Sequence, residues 1–481
     1  MKINLWNEKT VLSVTGGYST LPWKASGISF DSRSIKEGDL FIAIAAERDG
    51  HDFVKDAFEK GAVAAMVSYI PENIDKKKYP LLLVRDVKSA LKKLAAFARK
   101  RSNAKFIGIT GTAGKTSTKN IAHLILEGYG KTHSSAKSFN NILGCSITLT
   151  TVPLDAKFVI VEIGTNNLGE VSELSKLVKP HYVIITEVSL GHLEGLKNLK
   201  NILREKASIC DGQGYNGFAL IPSDTKTYGD LQKEVTSLGS RPISFGKRNS
   251  PNYKITNFRV NSSGSKATIL LPKGKRFTFS LSAFGEHHVR NASSIIALLS
   301  LMNLELERSI PILSSWRPSQ GRGERLEINF YKSGKPVRFT LIDESYNANP
   351  ASINSALDTL IKIEQFETGK IGSIKKTNRR IAVLGDMLEL GKDEIREHLK
   401  IKTLKALKNI DVIHCVGVRM AKLFSCLPEE KKGFSTKTAD EMCDKIVQKI
   451  KNRDIISVKG SFSMNMKQII QGLKELQGRN L

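Results

Sequence analysis

The sequence has few cysteines and no long apolar run. Its five cysteines are scattered among 481 residues at spacings that fit neither a metal knuckle nor a redox pair, which argues against a disulfide-stapled or zinc-binding domain. No apolar stretch approaches the ~20 residues that a membrane-spanning helix needs. Residues 1–10 also lack the apolar segment of a secretory signal. We therefore expect a cytoplasmic protein with no stable membrane insertion.

Acidic residues are scarce relative to basic ones. The chain has 74 lysines and arginines against 47 aspartates and glutamates, a formal net charge of +27. Such an excess suits an anionic partner, which can be a nucleic acid, a membrane surface or a phosphorylated small molecule. The excess is not gathered in one tail, so solvated basic faces are the simplest interpretation. The short basic clusters lie at residues 76–78, 88–101, 197–206, 375–380 and 431–432.

The overall composition is that of an ordinary globular protein, with 40% hydrophobic and 25% charged residues. No internal repeat is evident at periods of roughly 20–50 residues. At roughly 150 residues per domain, the length corresponds to about three domains. Changes of pattern along the chain predict α/β domains at residues 1–102, 103–318 and 319–481.

The first segment has the pattern of a small α/β domain. Short apolar runs at residues 41–44 and 81–84 predict buried strands. Asp86 then precedes a helix whose apolar positions recur at helical spacing, with basic residues on the opposite face. A hydrophilic stretch at residues 99–103 indicates the end of this domain.

The second segment alternates strands with helices, which is typical of a mostly parallel sheet. Residues 106–110 predict a strand that leads through a glycine-rich turn into a helix from about Thr116, and apolar runs follow at residues 158–161 and 182–185. Between about 215 and 285 the pattern changes to short alternating pieces, which predict an antiparallel insertion. These pieces lie at residues 253–260, 267–271 and 276–281, and a predicted helix at 291–301 follows them.

The third segment follows a stretch of linker type at residues 316–323, which carries glycine and proline. Its apolar runs again alternate with helical patterns, so we expect a second open α/β sheet of Rossmann-like type. The runs lie at residues 339–342, 381–384, 412–416 and 455–458.

The sharpest local signal is the glycine-rich turn between Gly108 and Ser117. Its backbone N–H groups can wrap phosphate oxygens, Lys115 can meet the outer phosphates, and the hydroxyl of Thr116 can bind Mg²⁺. The spacing departs from the usual P-loop, because Ile109 stands where the first glycine is expected. A P-loop is the favoured interpretation, and a turn that merely caps a helix is the alternative.

Two polar residues follow neighbouring strands of the predicted sheet. Glu162 ends the run at 158–161, and a carboxylate there can reach a magnesium ion at the P-loop without a helix in the way. His192 lies just past the strand at 182–185 and is a candidate for a second metal contact. A solvated glutamate and a packed loop histidine are the ordinary alternatives.

These motifs resemble those of the Mur ligases of peptidoglycan synthesis. The stretches that carry the family resemblance lie at residues 110–116, 162–166, 192–195 and 285–291. Others resemble the member that adds D-alanyl-D-alanine to UDP-N-acetylmuramoyl-tripeptide, and two near the N-terminus resemble the segment that holds the UDP-sugar end. They lie at residues 343–350, 383–391 and 458–461, and at 31–33 and 49–53. The likeness spans nearly the whole chain in collinear order.

The resemblance implies an N-terminal UDP-substrate domain, a central ATPase domain and a C-terminal Rossmann-like domain. It also implies that the tripeptide carboxylate takes the γ-phosphate of ATP, and that the dipeptide amine attacks the resulting acyl phosphate to give the pentapeptide precursor of peptidoglycan, ADP and phosphate. The chemical need is general, because a free carboxylate is a poor acyl donor and cations must neutralise charge on the transferring phosphoryl group. Such an enzyme serves cell-wall biogenesis, cell shape and cell division.

The P-loop and the resemblance together imply overlapping sets of site residues. ATP would contact Gly111, Thr112, Ala113, Gly114, Lys115, Thr116, Ser117, Asn291, Arg322 and Glu344. The catalytic residues would be Lys115, Glu162, His192 and Lys206, and two Mg²⁺ ions would be held by Thr116, Glu162, His192 and Lys206. The substrates would contact Ser32, Arg33, Asp49, His51, Asn140, Asn141, Thr165, Asn166, Asn347, Asn349 and Ser461.

Some of these assignments have ordinary alternatives. Asn291 can be a helix cap and Arg322 an exposed basic residue, while Asn347, Asn349 and Ser461 can be turn-forming residues. Lys206 stands where the family carries a carbamylated lysine, although by sequence alone it is one of many surface lysines. Only roughly four lysines in ten thousand are neutral at pH 7, so a carbamate there requires metal contact or burial of the amine.

Four positions depart from the family pattern. Glu187 stands where the family tends to have Asn, Ser146 where Pro is usual, and Ala46 where Gly is frequent. Glu344 replaces an Asp that contacts the nucleotide, which keeps the carboxylate but lengthens the side chain. None of these changes removes a group that the chemistry requires.

Two other functions remain open at this stage. The chain can be a related amide ligase, either another Mur ligase or a folylpolyglutamate synthetase, although the stretch at 346–350 disfavours both. A nucleic-acid-binding P-loop ATPase would suit the positive charge, but no nucleic-acid-binding motif is evident. We expect small-molecule substrates, no nucleic-acid partner and a monomer.

Overall fold

The computed structural model describes residues 4–136, 138–261, 263–363 and 378–480. Residues 1–3, at the start of the chain, and 375–377, in one of the basic clusters, therefore lie outside the described residues. The described chain forms three sheets of five, nine and six strands and one additional two-stranded ribbon. The predicted α/β class with three sheet-based units is confirmed. The exact domain boundaries stay a prediction.

The N-terminal sheet has the strand order β2-β7-β6-β5-β4, in which β4 to β7 are parallel and β2 is antiparallel to β7. Its strands are β2 (Tyr18–Ser19), β4 (Gly27–Ser29), β5 (Asp39–Ile42), β6 (Ala64–Val67) and β7 (Leu81–Leu83), and the ribbon consists of β1 (Trp6–Asn7) and β3 (Lys24–Ala25). The helices are α1 (Glu8–Thr15), α2 (Val54–Glu59) and α3 (Val87–Arg101).

Helix α3 forms where the sequence predicts it. The carboxylate of Asp86 accepts a hydrogen bond from the backbone N–H of Ser89 at 2.6 Å, which caps the helix. Its apolar face is buried, and Arg99 to Arg101 lie in its last turn rather than in a linker. Basic residues at this end of a helix interact favourably with the partial negative charge of the terminal carbonyls.

The central sheet has nine strands in the order β16-β15-β14-β13-β12-β11-β8-β10-β9. Its strands are β8 (Lys105–Thr110), β9 (Thr132–Ser134), β10 (Phe158–Glu162), β11 (Tyr182–Ile185), β12 (Phe218–Pro222), β13 (Arg241–Gly246), β14 (Tyr253–Asn261), β15 (Gly264–Leu270) and β16 (Arg276–Leu281). Its helices are α4 (Lys115–Glu127), α5 (Ile142–Thr150), α6 (Glu170–Val178), α7 (Leu193–Leu196), α8 (Leu199–Ala207), α9 (Tyr228–Ser237), α10 (Glu286–Leu301) and α11 (Ser309–Ser315).

The predicted antiparallel part is confirmed for β14, β15 and β16, but it begins later than expected. Strands β12 and β13 run parallel to each other and to β11, with α9 as the crossover, so residues 218–246 continue the parallel sheet. Pro222 and Pro242 lie within these strands and weaken their sequence signal, because proline cannot donate to a strand ladder. The three antiparallel strands extend the same sheet at its edge.

The C-terminal sheet has the order β17-β18-β22-β19-β20-β21 and is parallel except for the pair β17 and β18. Its strands are β17 (Glu324–Lys332), β18 (Lys335–Glu344), β19 (Arg380–Gly385), β20 (Val412–Val416), β21 (Lys432–Thr436) and β22 (Ile455–Lys459). Its helices are α12 (Pro350–Lys362), α13 (Glu394–Lys400), α14 (Val418–Ser425), α15 (Ala439–Lys449) and α16 (Lys467–Lys474). The four predicted strands are confirmed, and β17 and β21 were not predicted because both are rich in polar residues.

One apolar cluster runs from the central sheet into the C-terminal sheet. It contains Leu193 and Leu196 of α7 together with Met387 and Leu390, which follow β19, and all four are buried. The contact between these two parts of the chain is therefore apolar as well as polar. Within the described parts of the chain, none of the helices combines the length and apolar character needed to cross a membrane.

Candidate active site

The glycine-rich turn joins β8 to α4 with two residues in conformations that favour glycine. Gly111 has φ +148° and Gly114 has φ +83°. A Cβ atom on Gly111 would lie 2.1 Å from Thr186 Oγ1, and one on Gly114 would lie 2.9 Å from Asn291 Oδ1. The loop is thus pressed against the end of β11 on one side and against α10 on the other. Helix α4 begins at Lys115, one residue before the predicted start.

This loop forms one wall of a cavity whose other walls come from the central and C-terminal parts of the chain. Predicted site residues that line it are Thr112, Ala113, Gly114, Lys115, Thr116, Ser117, Asn140, Glu162, His192, Asn291, Arg322, Glu344, Asn347 and Asn349. Lining residues that were not predicted as site residues include Ser138, Thr186, Glu187, His287, His288, Arg290, Tyr346 and Lys459. Predicted residues outside the lining are Ser32, Arg33, Asp49, His51, Gly111, Asn141, Thr165, Asn166, Lys206 and Ser461.

Thr116 and Glu162 meet directly in the cavity. Strand β10 pairs with β8 in parallel, and this register brings Glu162 to the same sheet edge as the glycine-rich turn. Thr116 Oγ1 donates to Glu162 Oε2 at 2.8 Å, and Asn140 Nδ2 donates to Glu162 Oε1 at 3.0 Å. Glu162 therefore lies beside the glycine-rich turn, and its role as a metal ligand stays a prediction. A hydroxyl beside a buried carboxylate is the donor set that Mg²⁺ accepts when phosphate oxygens supply its other ligands.

Lys115 folds back onto the loop, where its Nζ donates to the carbonyl of Gly111 at 2.7 Å. Burial lowers the pKa of this amine, the charge of Glu162 raises it, and the charge of Arg322 lowers it again. Lys115 and Arg322 nevertheless bring two basic groups to the same cavity, as a site for a triphosphate requires.

Lys206 lies on α8 with its side chain only 1% exposed. Its Nζ has no hydrogen-bond partner among the described residues. Burial lowers the pKa of this amine well below its ordinary value, and the charge of Lys115 adds to the effect while Glu205 and Glu170 oppose it. Neutral amines react with CO₂, so this environment fits the carbamylated lysine that the family resemblance implies.

His192 contacts a residue of the C-terminal part of the chain. Its Nδ1 lies 2.7 Å from Oε2 of Glu389, and the backbone carbonyl of Glu389 accepts from the N–H of Glu194 at 3.2 Å. The hydrogen bond from His192 lowers the pKa of the Glu389 carboxyl group, against the opposing effect of burial. Glu389 belongs to the motif at 383–391 but was not predicted as a site residue, because only the packing of two sheets reveals this contact.

No group of three or more histidine, cysteine, aspartate or glutamate side chains in the described ranges is arranged to hold a metal ion. The metal sites implied by the resemblance would therefore draw on Thr116, Glu162, His192, a modified Lys206 and phosphate oxygens. Mg²⁺ is usually bound in this way, through one or two carboxylates and substrate phosphates.

Arg322 reaches the cavity from the linker before β17. Its guanidinium lies 3.9 Å above the ring of Tyr346, and its Nη2 donates to Ser138 Oγ at 3.3 Å. The hydroxyl of Tyr346 donates to the same Ser138 oxygen at 2.9 Å. Arg322 is thus held facing the glycine-rich turn rather than left exposed, and the alternative of an ordinary surface arginine is wrong.

Glu344 and Lys459 end two adjacent strands of the C-terminal sheet. They are register partners in the parallel pair β18 and β22, and Lys459 Nζ lies 3.4 Å from Glu344 Oε2 and 2.9 Å from the carbonyl oxygen of Asn347. Both side chains are largely buried. Lys459 was not predicted as a site residue. Its position at the carboxyl end of a predicted strand could have indicated it, because Glu344 ends the neighbouring strand.

The start of α10 forms another wall of the cavity, beside the glycine-rich turn. Asn291 lies in the second turn of this helix, which begins at Glu286, so the alternative of a helix cap is wrong. Burial lowers the pKa of His287 to about 3, with help from the charges of Arg290 and Lys459. Both ring nitrogens of His288 are buried without a hydrogen-bond partner among the described residues. Arg290 pairs with Glu187 at 2.9 Å, which places both charges at the cavity wall.

The asparagines after β18 have defined local roles. Asn349 Oδ1 accepts from the N–H of Ser352 at 2.8 Å as part of a capping box at the start of α12. Asn347 Oδ1 accepts from the N–H of Ala348 at 2.9 Å. Both nevertheless line the cavity. Ser461 lies deeper, where its hydroxyl accepts from the N–H of Leu388 at 2.8 Å.

The remaining predicted residues of the central part make local contacts. Asn141 caps α5 by accepting from the N–H of Gly144 at 2.9 Å. Thr165 Oγ1 donates to the carbonyl of Asn167 at 2.6 Å, and the N–H of Asn166 donates to Glu170 at 2.7 Å. The hydrogen bonds of Thr165 and Asn166 shape the loop between β10 and α6.

The N-terminal candidates lie outside the cavity and make two separate groups of contacts, one around His51 and one around Arg33. His51 Nε2 accepts from the N–H of Ser68 at 2.9 Å, so its proton lies on Nδ1, which is 2.6 Å from Asp49 Oδ1. Hydrogen bonds from the backbone N–H and ring of His51 and from Tyr69 lower the pKa of Asp49 to about 2. Arg33 is 85% exposed and binds Asp31 through two nitrogens, while Ser32 beside it is buried.

The chain matches three family descriptions along its length. Residues 24–99 match the Mur ligase family catalytic domain, residues 109–299 the Mur ligase middle domain, and residues 324–462 the Mur ligase glutamate ligase domain. The three matches follow one another in the order of the three sheets.

Similar proteins match over the full length. A UDP-N-acetylmuramoyl-tripeptide–D-alanyl-D-alanine ligase of Buchnera aphidicola subsp. Baizongia pistaciae is 30% identical over 93% of this chain and 92% of its own. The ligase of the same name from Rickettsia prowazekii is 28% identical over 97% of this chain and 99% of its own. The crystal structure of MurF from Acinetobacter baumannii is 25% identical, with a TM-score of 0.82 over 98% of this chain and 99% of that chain. With the glycine-rich turn, the Thr116–Glu162 pair and three sheets in matching order, the chain belongs to the Mur ligase family.

Proposed function

We propose that the protein is an ATP-dependent ligase that joins D-alanyl-D-alanine to UDP-N-acetylmuramoyl-tripeptide and releases ADP and phosphate. The observation that carries this proposal is the meeting of the glycine-rich turn and the Thr116–Glu162 pair with Arg322 and Lys459 in one cavity. Relatives of that name match the chain over more than nine tenths of its length.

The arrangement suits phosphoryl transfer to a carboxylate. The tripeptide carboxylate must become an acyl phosphate, because an unactivated carboxylate does not react with an amine at a useful rate. Lys115 and Arg322 place positive charge where charge accumulates on the phosphoryl group. The walls of the cavity come from two parts of the chain. A cavity closed in this way also protects an acyl phosphate from water.

A first Mg²⁺ fits Thr116 and Glu162, whose oxygens already lie 2.8 Å apart. When bound, this ion would neutralise charge on the phosphates and orient them. A second Mg²⁺ would be held by His192 and a carbamylated Lys206. The support for this second site is the buried amine of Lys206, which has no partner among the described residues.

The substrate ends would be held by different parts of the chain. The N-terminal part of the chain would bind the UDP-sugar end through Ser32, Arg33, Asp49 and His51. The peptide part would lie near Asn140, Asn141, Thr165 and Asn166, and the dipeptide near Asn347, Asn349 and Ser461. The nucleotide would extend from the glycine-rich turn towards Asn291 and Glu344. We further propose that the protein acts in the cytoplasm as a monomer on these small molecules.

A phosphate-release assay tests the proposal. With Mg-ATP, release is expected only when UDP-N-acetylmuramoyl-tripeptide and D-alanyl-D-alanine are both present, and mass spectrometry should detect the pentapeptide product. Glu162→Gln is expected to lower the rate by at least about a hundredfold, because it removes a metal-binding charge worth several kcal/mol. The matched control is Glu173→Gln, since Glu173 is a half-exposed glutamate of α6 paired with Lys92.

Other substrates in the same assay distinguish the remaining functions. Release driven by a folate and glutamate would indicate a folylpolyglutamate synthetase, and release without the dipeptide but with a free amino acid would indicate another Mur ligase. Stimulation by DNA or RNA would indicate a nucleic-acid-dependent ATPase. Supplying the tripeptide with either lysine or diaminopimelate at its third position would define the acceptor.

A further inference from the structure

The contact between His192 and Glu389 joins two loops that are each fixed to a different sheet. On the central side, Thr112 Oγ1 donates to the carbonyl of Ser189 at 3.0 Å and accepts from its N–H at 3.2 Å. The loop that carries His192 is therefore attached to the glycine-rich turn. Gly191 fits closely there, because a Cβ atom on it would lie 2.7 Å from Thr112 Cγ2.

On the C-terminal side, the loop that carries Glu389 is held by the two residues that precede it. The N–H of Met387 donates to His398 Nε2 at 2.9 Å, and the N–H of Leu388 donates to Ser461 Oγ at 2.8 Å. Glu389 is thus presented at the tip of a loop that is anchored to the C-terminal sheet. Its meeting with His192 exists only while the two sheets are held together.

Both partners adopt a backbone conformation that is unfavourable for their residue types. His192 has φ +52° and Glu389 has φ +63°, which are left-handed values that side chains with a Cβ seldom adopt. Glu389 is 54% exposed, and an ion pair this exposed adds little to stability. The conformational free energy lost by holding two residues in the left-handed region exceeds the stability that such a pair contributes. A role in folding therefore does not account for the geometry.

The chemistry of the contact points to metal binding. A carboxylate only accepts hydrogen bonds, so its 2.7 Å approach to Nδ1 requires the proton of His192 on that nitrogen. In the neutral imidazole, Nε2 is then the nitrogen with a free lone pair, which a metal needs. Histidines that bind metals commonly donate their other N–H to a carboxylate, which fixes the tautomer and the orientation of the ring.

We propose that Glu389, which the C-terminal part of the chain places beside His192, is a positioning residue for that histidine. The second metal site is then complete only when the two sheets enclose the cavity. This inference rests on the proposed function, because it assigns a partner to the second metal site of that reaction. Glu389 itself touches neither the nucleotide nor the metal in this account. It acts through His192.

Mn²⁺ binding measured by electron paramagnetic resonance tests the inference without requiring turnover. The full-length protein is titrated with Mn²⁺ in the presence of AMP-PNP, a non-hydrolysable ATP analogue. Glu389→Ala is expected to weaken one Mn²⁺ site by about 10- to 100-fold, the usual effect of losing such a supporting carboxylate. Glu389→Gln keeps an acceptor for Nδ1–H and should weaken that site less. The other Mn²⁺ site and the affinity for AMP-PNP should stay within about twofold.

Two further variants keep the test specific. Glu429→Ala is the matched control, because Glu429 is an 86% exposed glutamate of the C-terminal part paired with Lys432. It should leave both Mn²⁺ affinities unchanged. If Glu389 acts through His192, adding Glu389→Ala to His192→Ala should weaken Mn²⁺ binding no further.

The possible failures can be told apart. Two Mn²⁺ sites with wild-type affinities in Glu389→Ala would overturn the inference alone, and so would full additivity in the double variant. A wild-type protein that binds a single Mn²⁺ would overturn it together with the second metal site. Loss of the ligation activity itself is measured separately in the phosphate-release assay, and that result bears on the proposed function.

Discussion

A buried amine without a hydrogen-bond partner is costly unless it is neutral or modified, and Lys206 is such an amine among the described residues. We predict that Lys206→Ala lowers ligation by at least about a hundredfold, because it removes the group that would become a metal-binding carbamate. Added bicarbonate should not restore activity, since no amine remains to react. Lys200→Ala, on the exposed face of the same helix, is the control and should be fully active. An active Lys206→Ala variant would contradict the assignment.

Individual residues were predictable where chemistry and local sequence coincide. Lys115 and Thr116 follow a glycine-rich turn, and Glu162 follows a buried strand, so the rule for parallel sheets brings them together. Lys459 and Glu389 become site residues only through the pairing of distant strands or the meeting of two sheets. The position of Lys459 at the end of a predicted strand is a partial signal, whereas a single sequence contains no local signal for the contact of Glu389 with His192.

At the level of elements, the turn between β8 and α4 depends on its glycines for space as well as for conformation. We predict that Gly114→Ala weakens AMP-PNP binding at least about tenfold and lowers the free energy of unfolding by about 1–2 kcal/mol, the cost of a left-handed residue with a Cβ. The added Cβ would also displace the Asn291 side chain, which lies 2.9 Å away.

Gly274→Ala is the matched control for this prediction. Gly274 has φ +81°, close to that of Gly114, but no described atom lies within 4 Å of a Cβ placed on it. Calorimetric titration and thermal unfolding should show a similar loss of stability with unchanged nucleotide binding. Equal nucleotide affinities in the two alanine variants would refute the role of close packing at Gly114.

The elements that were predicted correctly are those with continuous apolar runs. Strands β8, β10 and β11 are buried on both faces and read clearly as short apolar stretches. Strands β12 and β13 carry prolines, and β21 is short, with glycine and polar residues. Such strands are formed by their neighbours in the sheet rather than by local preference, so the sequence alone does not reveal them.

For the whole molecule, buried histidines predict a loss of stability in acid. The pKa of His287 falls from its ordinary value to about 3 in the folded protein, so the unfolded chain takes up a proton first as the pH is lowered. The unfolded state therefore binds more protons between pH about 6.5 and 3, and stability falls across this window, by at most about 5 kcal/mol for this residue.

Replacing that side chain isolates its contribution. His287→Asn is expected to flatten the dependence of the unfolding free energy on pH between 6.5 and 3, as measured by urea unfolding at a series of pH values. The difference between the variant and the wild type should be constant above pH about 7. A variant whose stability declines as steeply as that of the wild type would contradict the assigned pKa.

The order of the three sheets along the chain was predictable from the alternation of strands and helices. Their mutual placement was not, because it depends on side chains that meet across sheets. Arg322 illustrates this, since its contacts with Tyr346 and Ser138 join segments almost two hundred residues apart. The family resemblance, not periodicity, supplied the expectation that it would reach the nucleotide.

The apolar cluster shared by the central and C-terminal sheets has a thermodynamic consequence. Four of its side chains are buried from water in this arrangement, those of Leu193, Leu196, Met387 and Leu390. Any rotation that separates the two sheets would hydrate them and would carry a positive heat-capacity change. Because apolar association weakens on cooling, low temperature would shift the balance towards the separated arrangement, and release of product from a chilled enzyme would meet a smaller apolar barrier.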